Sequence, residues 1–514
     1  MSATAEPLIP DMAPSRLDRW RTRVRRSPLL RRRIDVLAPV VVTLLAAALR
    51  LWNLSHPHSL VFDETYYVKD AWSQWNLGYP ASWPDDADAQ FVAGHTDIFT
   101  SAGSFVVHPP LAKWIIGLFM WIFGPDSSFG WRFAGALFGT ATVLVVYLLG
   151  KRLTGSTAFA TVAGLLIAID GLGIVLSRVA LLDIFLTFFS TLAVLLAVID
   201  RERHMARLAQ RLAAGAPAPA WGPLLWDRPW LFAAGAAAGA ACAVKWSGLY
   251  ILAAIGIYAV VSDALARRRA GVRFWPQDAV RQGVASFILL VPVAFVVYLA
   301  SWTGWLVTDG GYDRQISPNP FVALWKYHEA IYAFHVGLTT PHSYASPAWQ
   351  WPFLIRPTSM YWHQDEFGQA GCSWQSNCVQ SISSIPNPLI WWAGIAATVF
   401  LVFAFVQRRD WRHAVVLTGM AATYVPWLLF PERTIFQFYT IAMLPFLVLA
   451  LAFALREIAG YRSRVHRRRI AGQRTVWVFL GVTVALSAFW YPVWVAMKVP
   501  YAFWLVHNWI PSWI

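Results

Sequence analysis

The sequence is poor in charged residues, which make up only 13% of its 514 positions. A water-soluble domain usually carries about 25% charged residues, because its surface must stay hydrated. This shortage excludes a soluble globular enzyme. Hydrophobic residues make up 57% of the chain, and this proportion excludes a disordered or collagen-like protein as well.

Cysteine is also scarce, with three residues in the chain. Cys242 lies in an apolar run, where we expect it to serve as a packing residue. Cys372 and Cys378 flank five residues of a polar loop and would form a disulfide if that loop faces an oxidising space. A zinc site is the less favoured alternative, because two further ligands at close spacing are lacking.

Long apolar runs are abundant, and they predict an all-α polytopic membrane protein with about eleven transmembrane helices. The runs fall near residues 36–52, 131–149, 156–171, 183–199, 229–244, 247–262, 283–303, 389–406, 413–430, 435–455 and 475–496. No small-residue cleavage site follows the first run, so we expect an uncleaved anchor. The shorter run 111–124 predicts a helix that lies at the membrane interface.

The net charge of +15 comes from short clusters between the apolar runs, which favours cytoplasmic loops over a nucleic-acid-binding face. If 111–124 does not span, 31 of the 42 Lys and Arg residues lie on one side, as the positive-inside rule demands for the cytoplasm. The N-terminus is then cytoplasmic and the C-terminus extracytoplasmic. We expect no nucleic-acid partner.

This topology divides the chain into four regions. Residues 1–34 form an Arg-rich cytoplasmic tail that we expect to be mostly disordered, and residues 35–300 form a transmembrane catalytic module with a first extracytoplasmic loop at 55–130. Residues 301–388 form a second extracytoplasmic loop, and residues 389–514 contain the C-terminal transmembrane helices. Two large outer loops place the chemistry on the extracytoplasmic side.

Few of the outer charges lie near the membrane, and most of those adjoin the ends of apolar runs, where ionisable groups are costly and therefore indicate function. They are Asp63, Glu64, Lys113, Arg132, Arg178, Asp183, Glu432 and Arg433. A basic cluster at the outer interface suits a lipid phosphate, and a neighbouring carboxylate suits proton removal from a hydroxyl.

Several of these residues could also have a purely structural role, with no part in substrate binding or catalysis. The Asp63-Glu64 pair is compatible with an ordinary solvated loop, and Lys113 with a side chain that reaches the headgroups. Arg178 and Asp183 could form an ion pair that merely closes a tight turn. His108 alone is weak evidence, since an interfacial histidine is often only a hydrogen-bond partner.

Five segments together resemble the protein O-mannosyltransferase family, which belongs to the GT-C class of glycosyltransferases. They are Asp63-Glu64, His108-Pro109-Pro110-Leu111 with Lys113, Leu176-Ser177-Arg178 with Leu181-Leu182-Asp183, Val244-Lys245-Trp246-Ser247-Gly248-Leu249, and Arg433-Thr434-Ile435-Phe436-Gln437-Phe438-Tyr439. Eukaryotic members carry a MIR domain after the seventh span. The short loop 304–388 instead resembles that of actinobacterial members, including its Cys372 and Cys378 pair.

The resemblance implies a GT-C-type fold with interfacial helices in the extracytoplasmic loops, and a polyprenyl phosphate mannose donor. The acceptor would be a Ser or Thr hydroxyl of a secreted or membrane protein. Asp63 would be the catalytic base and Glu64 its neighbour at the acceptor or sugar, and Arg132 would matter for activity. From charge and location we further assign Lys113, Arg178 and Arg433 to the donor phosphate, with His108 and Asp183 also at the substrate.

Neither a cofactor nor a metal is required by this mechanism, although a divalent ion near Asp63 and Glu64 stays open. The expected location is the bacterial plasma membrane, with the lipid bilayer and the secretion channel as partners. Two other functions compete. One is a GT-C transferase that moves another sugar, such as arabinose, to a glycan or lipid. The other is a lipid or solute transporter, which usually shows inverted repeats and broken spans.

Overall fold

The computed structural model describes residues 16–213, 220–374, 376–463 and 465–514. Residues 1–15 of the predicted tail lie outside this range. The part of the tail from Arg16 to Arg26 is helical, so the prediction of a mostly disordered tail is wrong there. Ser27 then caps the next helix, because its hydroxyl accepts a hydrogen bond from the Leu30 amide and Pro28 occupies the first turn.

Helices dominate the structure. They are α1 (Arg16–Arg26), α2 (Pro28–Leu51), α3 (Glu64–Leu77), α4 (Ala87–Val92), α5 (Leu111–Phe123), α6 (Ser128–Thr154), α7 (Thr157–Ile169), α8 (Gly171–Arg178), α9 (Asp183–Ala213), α10 (Pro229–Cys242), α11 (Gly248–Arg269), α12 (Trp275–Ser301), α13 (Thr303–Val307), α14 (Pro320–Gly337), α15 (Pro388–Arg408), α16 (Trp411–Tyr424), α17 (Leu444–Ile458), α18 (His466–Trp494) and α19 (Tyr501–Leu505). Short 3-10 helices cover Arg314–Ile316, Ala348–Phe353, Val425–Leu429, Gln437–Ala442 and Pro511–Trp513.

Within the described ranges, seven helices are long and apolar enough to cross a membrane: α2, α6, α9, α11, α12, α15 and α18. The bent pair of α7 and α8 raises this count to eight. The protein is therefore a multi-span membrane protein, but the predicted count of eleven is not confirmed. The other predicted segments contain α10, α16 and α17, which are 14, 14 and 15 residues long.

Prolines explain two of these short helices. Pro426 follows the end of α16, and Pro445 lies in the first turn of α17. Proline lacks the amide hydrogen that would continue a helix, so the backbone between these two points forms 3-10 turns and loop instead. This irregular stretch, residues 425–443, contains the Arg433 segment.

The bend between α7 and α8 measures 58° and lies at Asp170. The Asp170 carboxylate accepts hydrogen bonds from the Gly173 and Asn387 amides, so it caps α8. The buried Arg50 guanidinium donates to the Ile167 and Ala168 carbonyls at the end of α7. The backbone groups released by the break are thus paired within the protein, as a bilayer interior requires.

Two glycines let α10 approach α12 closely. A Cβ atom added at Gly235 would lie 2.6 Å from the Leu290 carbonyl oxygen, and one at Gly239 would lie 2.5 Å from that of Ala294. No side chain larger than hydrogen fits at either position. The packing brings the segment after α10, which contains Lys245, next to α12.

The two long loops of the predicted outer side are folded. The first contains α3, α4 and α5, and α5 packs against α3 and α6. The second contains α13, α14 and the strands β1 (Ser359–Asp365) and β2 (Cys378–Ser383). β2 is the middle strand of an antiparallel sheet, between β1 and the short β3 (Val499–Pro500). A disulfide joins Cys372, in the loop between β1 and β2, to Cys378, the first residue of β2.

Candidate active site

A cavity of about 670 Å³ opens between the helices α9, α11, α12, α14 and α16. Its ionisable lining includes His108, Asp183, Lys245, His335, Arg433 and Tyr439. Much of the remaining lining is apolar, with Leu249, Leu252, Val291, Phe295, Pro426 and Phe430 among it. A long apolar ligand with a charged head would match this distribution.

Asp63 lies at the start of α3, and both Lys245 and Asp183 act electrostatically on its carboxyl group. The half-buried side chain has no hydrogen-bond partner among the residues that the structure describes. Burial, with a further contribution from the Asp183 carboxylate, raises the pKa of Asp63 to about 6, although the Lys245 ammonium opposes the shift. A carboxylate with free lone pairs and such a pKa can accept a proton near neutral pH.

The backbone before Asp63 is strained. Phe62 has a φ of 52°, in the left-handed region that bulky side chains rarely adopt. Its ring makes edge contacts with Phe436 and Phe438, at centroid distances of 6.0 and 5.7 Å. These contacts hold the turn, so residues from the far end of the chain fix the position of Asp63.

Lys245 is paired with Asp183. The Lys245 Nζ lies 2.8 Å from Asp183 Oδ2 and 4.9 Å from the centre of the Tyr439 ring. The predicted alternative, an ion pair between Arg178 and Asp183, is therefore wrong. Sequence reasoning quoted Lys245 within a motif but did not assign it to the site. Its place at the end of an apolar run was the available signal.

Arg433 keeps hydrogen-bonding capacity for a ligand. Its Nη2 donates to His335 Nδ1 over 3.0 Å, and its guanidinium lies 5.6 Å from the centre of the Trp427 ring. The buried Nε has no partner in the described part of the chain. Arg433 therefore fits its predicted role at a phosphate. Neither His335 nor Tyr439 was predicted as a site residue: His335 belongs to none of the five motifs, and Tyr439 was quoted in the Arg433 segment without a role.

Glu64 does not line the cavity and is fully buried. Both of its carboxylate oxygens lie 2.8 Å from Arg132 nitrogens, and they also accept from the Val61 and Ala180 amides. Arg132 donates further to the Pro57 and Ser59 carbonyls. The roles of Glu64 at the acceptor or sugar and of Arg132 at the substrate stay predictions, and in the structure the hydrogen-bonding groups of this pair are occupied by protein partners.

Two more predicted phosphate ligands lie elsewhere. Lys113 is buried, 3.4 Å from Asp70, so it neither reaches the headgroups nor lines the cavity. Arg178 donates to the carbonyls of Arg50, Trp52 and Asn53 and thereby caps α2. Long basic side chains can turn toward backbone carbonyls, and the sequence does not reveal that choice. His108 does line the cavity, and burial lowers its pKa well below the ordinary value.

Metal ligands do not cluster in the described ranges: no three His, Cys, Asp or Glu side chains lie together in a way that could hold an ion. The positive charge at the cavity comes from Lys245 and Arg433. These two cations can act on a ligand phosphate electrostatically.

Comparison with known proteins decides the family. A family model described as dolichyl-phosphate-mannose-protein mannosyltransferase matches residues 40–303. A second model, the C-terminal four TMM region of protein-O-mannosyltransferase, matches residues 320–513. The chain belongs to the protein O-mannosyltransferase family. The resemblance inferred from the five motifs is thereby confirmed.

Relatives in this family match almost end to end. A polyprenol-phosphate-mannose–protein mannosyltransferase of Mycolicibacterium smegmatis (strain MKD8) is 33% identical, and the match covers 92% of each chain. The enzyme of the same name from Corynebacterium glutamicum is 30% identical, and the match covers 94% of each chain.

Solved structures confirm the predicted GT-C-type fold. The Saccharomyces cerevisiae protein O-mannosyltransferase Pmt1-Pmt2 complex bound to the sugar donor matches with a TM-score of 0.69 at 16% identity, over 93% of this chain and 92% of that one. An oligosaccharyltransferase of Archaeoglobus fulgidus matches with a TM-score of 0.53 at 15% identity, over 90% of this chain and 56% of the other.

Proposed function

We propose that this protein transfers mannose from polyprenyl phosphate mannose to Ser or Thr hydroxyls of proteins, with inversion at the anomeric carbon. The observation that carries the proposal is a cavity lined by the cations Lys245 and Arg433, with the Asp63 carboxylate close enough to interact electrostatically with Lys245 and Asp183 of that lining. Its apolar lining suits a polyprenyl chain. Relatives named for this activity cover nearly the whole chain.

In the proposed reaction, the acceptor oxygen attacks the anomeric carbon while Asp63 takes the hydroxyl proton. The bond between that carbon and the phosphate oxygen breaks, and its electron pair leaves with the polyprenyl phosphate. Lys245 and Arg433 stabilise the negative charge of the leaving group. A phosphate needs no proton to leave, so one carboxylate suffices, whereas glycosidases use two. Direct displacement converts a β-mannosyl phosphate into an α-mannoside.

We also propose that the site faces the outside of the bacterial plasma membrane, with the N-terminus in the cytoplasm and the C-terminus outside. The distribution of Lys and Arg supports this orientation. Acceptors would then meet the enzyme as they leave the secretion channel. No cofactor is required in this proposal, since the two cations supply the charge that a metal would. A rate that depends on added divalent ions would overturn that part.

The experiment uses purified full-length protein in liposomes, radiolabelled polyprenyl phosphate mannose and a Ser/Thr-containing peptide. We expect the wild type to label the peptide and Asp63→Asn to lose at least about a hundredfold in rate, because a positioned base contributes about 10²–10⁴-fold. Asp309→Asn is the matched control, since this carboxylate is 82% exposed in the same outer region.

The result separates the proposal from its competitors. Near-normal turnover by folded Asp63→Asn would contradict the base assignment. Transfer from a polyprenyl phosphate arabinose donor but not from the mannose donor would favour the other sugar. No transfer from either donor by folded wild type would overturn the function.

A further inference from the structure

His335 connects two segments that meet at the cavity. Its Nε2 lies 2.9 Å from the Val107 carbonyl oxygen, next to the His108-Pro109-Pro110 segment. Its Nδ1 lies 3.0 Å from Nη2 of Arg433. One imidazole on α14 thus contacts both the first outer loop and the arginine that faces the ligand.

The partners determine the tautomer of this histidine. A guanidinium can only donate, so Nδ1 of His335 must be the acceptor, and a carbonyl can only accept, so Nε2 must carry the hydrogen. Only the neutral ring satisfies both bonds. Burial and the Arg433 charge lower the pKa of His335 to about 4, so the ring stays neutral at physiological pH.

The face of α14 that carries His335 is braced at a second point. His328, seven residues earlier, donates from Nδ1 to the Leu324 carbonyl and accepts the Tyr298 hydroxyl hydrogen at Nε2 over 2.6 Å. The Tyr298 oxygen in turn accepts the Trp246 indole N–H. This chain ties α14 to α12 and to the residue after Lys245, so His335 is held by a rigid support.

Arg433 depends on this support for its direction. The Nη2 group of Arg433 donates one hydrogen bond to His335, and the guanidinium lies 5.6 Å from the centre of the Trp427 ring. The buried Nε and the Nη1 group have no hydrogen-bond partner among the described residues. A guanidinium fixed at one nitrogen presents its other N–H groups in a set plane, which matches the bidentate geometry of a phosphate.

We propose that His335 is a positioning residue that orients Arg433 toward the phosphate of the lipid donor. The inference rests on the proposed function for the identity of that lipid. It assigns His335 no contact with the reacting atoms. Its effect is to hold the guanidinium in the orientation that binds phosphate. Arg433 then loses little side-chain entropy when the donor binds, and the affinity for the donor is higher.

Two substitutions separate the two hydrogen bonds of His335. In His335→Gln, the amide nitrogen can replace Nε2 and donate to Val107, but the acceptor for Arg433 is lost. In His335→Asn, the amide oxygen can replace Nδ1 and accept from Arg433, while the Val107 bond is lost. Lys326→Gln is the matched control, because Lys326 lies exposed on the same helix.

The first readout is binding of polyprenyl phosphate without sugar to the full-length protein in liposomes, followed by tryptophan fluorescence. We expect His335→Gln to weaken this binding about tenfold, the usual scale for a hydrogen bond to a charged group. His335→Asn and Lys326→Gln should stay within about threefold of the wild type. The KM for the acceptor peptide should not change in any of the three variants.

The second readout is a double-mutant cycle. If His335 acts through Arg433, then His335→Gln has no further effect on lipid binding once Arg433→Gln is present. Additive effects would overturn the inference, as would wild-type affinity in His335→Gln. If His335→Gln does not fold, His335→Asn decides: retained affinity supports the role, and a tenfold loss refutes it. Wild type that binds the lipid but transfers no mannose refutes the proposed function alone.

Discussion

The helices α9–α12 carry buried charges at both ends, and the two ends differ in how those charges are paired. At the end opposite the cavity, Arg228 contacts Asp200 at 2.6 Å and Asp263 at 3.1 Å, and His204 lies 2.9 Å from Asp263. We call these four residues the inner cluster. At the cavity end, Lys245 pairs with Asp183, but the Asp63 carboxylate accepts no hydrogen bond from the described residues and the buried Nε of Arg433 has no hydrogen-bond partner among them.

The difference distinguishes charges that stabilise the fold from charges that are available to a ligand. A buried charge without a partner is costly, so a protein keeps one only where something else stabilises it or uses it. The same contrast exists between neighbours in the sequence. Glu64 is saturated by Arg132 and two amides, whereas the carboxylate of Asp63 is free.

The largest expected effect concerns stability at the inner cluster. Arg228→Gln leaves two carboxylates without their cation and should lower the free energy of unfolding by about 3–5 kcal/mol. In the fraction of this variant that remains folded, the KM for the lipid donor should be unchanged. Thermal unfolding in detergent, combined with donor kinetics, tests both statements.

A nearby exposed pair provides the control for that measurement. Arg207 is 42% exposed and pairs with Asp227, so Arg207→Gln should cost less than about 1 kcal/mol. Equal losses for both substitutions would show that the inner cluster has no special role in stability. Adding Asp200→Asn to Arg228→Gln should recover part of the loss, because it removes one uncompensated charge.

The second effect concerns activity at the cavity end. Lys245→Gln should lower kcat/KM for the donor by about ten- to a hundredfold, because a cation on the leaving phosphate is lost. It also leaves Asp183 uncompensated. The double variant Lys245→Gln/Asp183→Asn should therefore regain stability without regaining activity. Recovery of activity in that double variant would show that Lys245 only neutralises Asp183.

The smallest effect is the pH dependence. Because burial raises the pKa of Asp63 to about 6, kcat/KM should fall about tenfold for each pH unit below 6 and level off above 7. The base must be deprotonated to act, so activity is lost on acidification. The residual rate of Asp63→Asn should lack this acid limb. An unchanged limb in that variant would assign the titration to another group.

Much of the fold could be predicted from hydropathy alone. Each of the eleven apolar runs coincides with helical structure, and the short run at 111–124 corresponds to α5. The number of full spans could not be predicted. An apolar stretch such as 435–455 does not reveal that residues 435–443 form a 3-10 turn and loop before α17 begins at Leu444.

The position of a charged residue in the sequence does not by itself show whether its side chain lines the cavity. Asp183 and Arg433 were predicted at the substrate because they lie at the ends of spans, and both line the cavity. Lys113, Arg132 and Arg178 were predicted on the same ground, but they do not line the cavity. Those three side chains meet Asp70, Glu64 and the carbonyls at the end of α2. Such partners come from distant segments, so only the tertiary packing selects among basic residues.

The strained turn at Phe62 has a consequence for how the enzyme is made. Phe436 and Phe438, which hold that turn, are synthesised long after Asp63 has left the ribosome. A nascent chain that ends before Arg433 contains Asp63 and Lys245 but lacks both that arginine and the rings that position Asp63. Catalytic competence therefore arises late in biosynthesis, and a growing chain cannot glycosylate passing polypeptides before its own membrane insertion is nearly complete.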